Sequence, residues 1–154
     1  MTAENYLDAA DVLMSMNEFQ LAQKFFQRAQ SAGADDLTVA IGMANAHLAM
    51  GETRDAETLL ASVPDDSGKD QSYDYLVSMA NVYRQKQDTF RALSNYARAS
   101  SLIPDDEAAQ RAQFELADEE GRQVLSNLSV ASQFSLQPIF EDENIYEMDA
   151  RLRG

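Results

Sequence analysis

His47 is the single histidine of the chain, and imidazole is the side chain best suited to bind a metal or move a proton near neutral pH. A metal site on one helix needs a second ligand one turn away, and those positions hold Met43 and Gly51. The spacing therefore assigns His47 to packing, and no metal is expected. Acidic runs stand at Glu119-Glu120 and Glu141-Asp142-Glu143. They lack the loop glycine and ligand spacing of a calcium site, so they read as solvated charge. Cysteine is absent, which removes thiolate nucleophiles, disulfides and cysteine-bound zinc. No glycine-rich phosphate loop occurs, and no nucleophile is spaced against a base. Neither catalysis nor a cofactor is expected.

Bulk charge narrows the partners. At a net charge of −14 the chain repels phosphate backbones and anionic lipid surfaces. Nucleic-acid binding and direct lipid binding are not expected, and a protein or peptide partner, basic ones included, remains. Apolar residues make up 45% of the 154, enough for a continuous core in one domain with an appendage. No apolar run reaches the length of a membrane-spanning helix. The start, Met1-Thr2-Ala3-Glu4-Asn5, has neither the basic nor the apolar segment of a signal peptide, which points to the cytoplasm for a complete chain.

The elements that position these residues are written three times. The first copy places Tyr6, Ala9, Ala10 and Leu13 on one helix and Ala22, Phe26 and Ala29 on a second. The second copy places Ala40, Met43, Ala44 and His47, then Ala56, Leu60 and Val63. The third places Leu76, Met79, Ala80 and Tyr83, then Ala92, Tyr96 and Ala99. Recurrence every three and four residues makes one apolar face per helix. Alanines stand where two helices approach closely, and larger side chains fill the space beside them. Breaks fall at Asn17, Gly51 and Gln87, and glycine suits the left-handed end of a helix best. Asp35-Asp36, Asp65-Asp66 and Asp105-Asp106 follow the return helices and supply N-caps.

This pattern resembles the tetratricopeptide repeat (TPR) family over about residues 3–106. The resemblance implies an all-α, right-handed superhelix of helical hairpins. Repeats are expected over about 3–36, 37–70 and 73–106, with a terminal helix at 107–125. The second copy departs from the pattern: Pro64 arrives early, in the polar loop Pro64–Asp70, so its return helix should be about a turn short. In the terminal helix Ala108, Ala109, Ala112, Leu116 and Ala117 can pack on the third repeat, while Glu115, Asp118, Glu119 and Glu120 face water.

The tail, 126–154, has a different pattern. Leu128, Val130, Ser132, Phe134 and Leu136 alternate with polar or small residues, and so do Tyr146, Met148, Ala150 and Leu152. A period of two is the strand signature, and two such runs read as extended or hairpin-like. A flexible tail, or extra helix laid against the repeats, is equally open. Alternating runs of this kind also open outer-membrane barrels. TPR arrays followed by such a barrel look like the bacterial exopolysaccharide exporters, of which cellulose secretion is one case. That resemblance implies a periplasmic arm of an outer-membrane protein.

In the TPR family the first helix of each pair lines the concave groove. The face opposite the core carries Leu7, Asp11 and Met14, then Ile41, Asn45 and Leu48, then Val77, Asn81 and Arg84. Each copy sets an apolar residue four positions before Asp or Asn. An Asn amide can both donate to and accept from the backbone of an extended peptide. No lysine stands on this face, so the resemblance does not extend to members that clamp a C-terminal carboxylate. The expected role is a protein-binding scaffold, with secretion-porin arm as the alternative and homo-oligomer formation open.

Overall fold

The computed structural model describes residues 1–131, with side chains over 1–123. Seven α-helices run through them: α1 (Ala3–Ser15), α2 (Phe19–Ser31), α3 (Asp36–Ala49), α4 (Thr53–Ala61), α5 (Tyr73–Gln85), α6 (Thr89–Leu102) and α7 (Glu107–Ala131). Two short 3-10 turns, Asp65–Ser67 and Lys69–Gln71, lie between α4 and α5. The first six helices pair as hairpins α1/α2, α3/α4 and α5/α6, and α2 packs on α3 while α3 and α4 pack on α5. The chain divides after Phe114, within α7.

Local chemistry sets the helix ends. Thr2, Asp35 and Ser72 cap the first helix of each hairpin, their side-chain oxygens accepting from the backbone N–H of Asn5, Thr38 and Tyr75 at 3.2 Å. The hairpin turns repeat one closure. The N–H of Glu18, Glu52 and Asp88 donates to the carbonyl of Leu13, His47 and Tyr83 at 2.8–2.9 Å. The residue before each is left-handed: Asn17 at φ 62°, Gly51 at φ 78° and Gln87 at φ 62°. These are the three breaks expected from the sequence, and the bonding is that of a Schellman end.

The core follows the repeat. Ala10, Ala22, Ala44, Ala56, Ala80 and Ala92 are all fully buried, so the paired helices touch where no larger side chain fits. Around them one cluster joins Phe26 and Val39, and a second joins Leu48, Leu60, Tyr75 and Val82. The second helix pair packs tightly on the first at Gly42, where an added Cβ would stand 2.4 Å from the Phe26 ring. That contact is between elements, and no local pattern in the sequence marks it.

The second return helix is short, as expected: α4 has 9 residues, against 13 in α2 and 14 in α6. The chain then makes its two 3-10 turns, with Gly68 left-handed at φ 82°. Lys69 fastens this loop. Its ammonium donates to the Val63 carbonyl at 2.9 Å and pairs with Asp65 at 2.9 Å. The Tyr75 hydroxyl donates to the Leu60 carbonyl at 3.2 Å.

Three expectations need correction. Asp65-Asp66 does not cap α5; it enters a 3-10 turn, and Ser72 takes the cap because α4 ends early. Ala108 is exposed rather than packed, while Ala109 is buried. The terminal helix does not stop at 125 but runs through Ala131, so Leu128 and Val130 lie on a helix instead of a strand. Alternation over a few residues cannot outweigh propagation of an already formed helix, which adds one hydrogen bond for each residue fixed. No strand occurs among the described residues. The remainder of the expected tail, 132–154, lies outside them.

Candidate binding groove

The inner helices α3 and α5 lie side by side, and a cleft of about 380 Å³ opens between them. Asn45, Leu48, Val77, Asn81 and Arg84 line it, so five of the expected residues meet at one place. Asp74, Ser78, Gln85 and Ala49 complete the lining and were not expected from the sequence. The three polar ones fall on the face of α5 that already holds Val77 and Asn81, at helical spacing, which is the signal that would have found them.

The two asparagines serve the fold as well as the cleft. Asn45 Oδ1 accepts from the Ser78 hydroxyl at 2.8 Å, tying α3 to α5. Asn81 Oδ1 accepts from the buried Tyr96 hydroxyl, tying α5 to α6. Each carbonyl oxygen accepts one bond within the fold, and the amide N–H groups of Asn45 and Asn81 remain as donors for a ligand. Gln85 donates to the Leu48 carbonyl at 3.1 Å and accepts from the Thr53 hydroxyl at 2.5 Å. These cross-helix bonds fix the cleft's width.

The other expected residues are placed differently. Leu7 and Met14 are half-buried against Ala10, Phe26 and Val39, and Ile41 is half-buried against the Leu48–Leu60–Tyr75 cluster. Asp11 is exposed on α1. Partial burial raises its carboxyl pKa above the ordinary value, and the neighbouring Asp8 raises it further. Two larger clefts, of about 600 and 520 Å³, contain none of the nine. The first is bordered by Met43, Leu59, Val63 and Pro64 where α4 ends early, and the second by Tyr6, Lys24 and Arg28. Size alone therefore does not select the groove; convergence of polar groups from two inner helices does.

His47 is not an isolated packed residue. Its Nδ1 lies 2.8 Å from Glu52 Oε2, across the turn into α4. The partner comes from the returning chain, a direction that spacing along one helix does not sample.

A family model described as tetratricopeptide repeat matches residues 13–80. The fold is of the TPR type. No curated protein and no solved structure matches the chain. TPR repeats are in general protein–protein interaction modules and typically carry no catalytic chemistry. The matched segment takes in α3 and the first half of α5, and so most of the α3–α5 cleft.

Proposed function

We propose that the chain is a non-catalytic scaffold that takes an extended peptide segment of a partner protein in the α3–α5 cleft. The observation that carries this reading is the meeting of Asn45, Leu48, Val77, Asn81 and Arg84 on one concave surface. Leu48 and Val77 supply apolar contact, and the Asn45 and Asn81 amides supply donors for a peptide carbonyl. Asp74 near the start of α5 and Arg84 near its end give the cleft a polarity. Leu7, Met14 and Ile41 pack against the core clusters and Asp11 is exposed on α1, so the reading does not rest on them.

The secretion-porin alternative gains nothing from the described residues. Its sequence argument began at Leu128 and Val130, which are helical.

Peptides selected by phage display on the full chain provide the test. Val77→Glu places charge on the apolar floor at a half-buried position, whereas Thr58→Glu alters the exposed surface of α4. Helicity of both variants is checked by circular dichroism. The selected peptide is expected to bind Val77→Glu at least tenfold more weakly and Thr58→Glu unchanged. Equal binding to a folded Val77→Glu variant would contradict the reading.

A further inference from the structure

The turn between α3 and α4 carries a set of side chains found in neither of the equivalent turns. Its closure bonds the Glu52 N–H to the His47 carbonyl at 2.8 Å and the Gly51 N–H to the Leu48 carbonyl at 3.1 Å. The last turn of α3 is thereby folded against the first turn of α4, and positions 47, 52 and 55 meet. His47, Glu52 and Asp55 offer ligand atoms that all lie within 4.8 Å of one another.

The third repeat shows independently that these positions converge. Tyr83, Asp88 and Arg91 stand there, 36 residues further on. The Arg91 guanidinium lies 5.6 Å from the Tyr83 ring centre, and its Nε lies 3.5 Å from Asp88. In the first repeat the same positions hold Leu13, Glu18 and Leu21. The third set balances its own charge and the first carries a single carboxylate. The second brings an imidazole and two carboxylates together.

We propose that His47, Glu52 and Asp55 bind a divalent transition ion of the zinc class. Imidazole with carboxylates suits such ions, whereas magnesium and calcium favour all-oxygen sets. Zinc bonds of about 2.0–2.1 Å in a tetrahedron put ligand atoms roughly 3.4 Å apart. His47 and Glu52 are already closer than that, and the widest gap closes by rotation of exposed side chains. The His47 side chain is 18% exposed, while that of Glu52 is 42% exposed, so solvent reaches the site from the carboxylate side. Water would complete the coordination. A bound ion would offset the paired negative charge and pin α3 to α4, one residue away from Leu48 in the proposed groove. The inference does not depend on that groove.

The test titrates the EDTA-treated full chain with zinc chloride, and separately with magnesium chloride, by isothermal titration calorimetry near neutral pH. The wild type is expected to bind one equivalent of zinc and no magnesium. His47→Gln and Asp55→Asn are each expected to bind zinc at least tenfold more weakly. Absence of zinc binding, or equal affinity in Asp55→Asn, would overturn the proposal. Asp55 is exposed, so that variant decides even where His47→Gln does not fold. In a histidine-labelled wild-type sample zinc must move the imidazole Nδ1 resonance; an unmoved resonance with zinc bound would place the ion elsewhere and also overturn it.

Discussion

Asp11 illustrates how a candidate binding residue can act against the fold. Its carboxyl pKa lies above the ordinary 3.8, through partial burial first and Asp8 second. A raised carboxyl pKa means that the folded chain holds the proton more tightly than the unfolded chain. Ionised Asp11 therefore lowers stability above its folded pKa, and the penalty disappears as pH falls through that value to below 3.8. Asp11→Asn is expected to raise the midpoint of urea unfolding at pH 7 and to leave it unchanged near pH 3. A lower midpoint at pH 7 would show that the ionised group stabilises the fold. At this scale the sequence was a partial guide. The groove-face positions of Asn45 and Asn81 followed from periodicity, but their bonds to Ser78 and Tyr96 come from other helices and leave no local mark. Along its own helix His47 meets only the poor ligands Met43 and Gly51; its neighbours Glu52 and Asp55 arrive only once the turn has folded back.

The helix ends carry the next set of consequences. Asn17, Gly51 and Gln87 occupy the same left-handed position, and only Gly51 avoids the Cβ penalty there. Gln87→Gly is expected to stabilise the chain by about 0.5–1 kcal/mol, the relief of left-handed strain outweighing the added freedom of the unfolded chain. Asn17→Gly should gain less, because asparagine tolerates this conformation better than glutamine. Thermal unfolding of the two variants measures the order, and a destabilised Gln87→Gly would contradict it. These breaks were legible because a turn is written in adjacent residues. The start of α5 was less so. Three Asp-Asp pairs looked equivalent, but the early end of α4 moved the cap to Ser72. The end of α7 was misread because a short alternating run fits both a strand and part of a helix.

At the scale of the molecule, the threefold pattern, its copies 34 and then 36 residues apart, was the strongest signal, since every copy repeats the same alanine contacts and buries them alike. It specified the hairpins. It did not specify the α3–α5 cleft, whose width is set by Ser78–Asn45 and Gln85–Leu48 bonds between repeats. The departure at Pro64 was visible, and so was its result, a shorter α4. The claim that most needs testing is that this cleft is where a partner binds. The direct measurement is a two-dimensional amide NMR titration of the labelled full chain with a phage-selected peptide. The expected result is that shifts concentrate at Asn45, Leu48, Val77, Asn81 and Arg84, with α2, α4 and α6 little changed. Shifts confined to those outer helices, with the α3 and α5 resonances unmoved at saturation, would contradict the account.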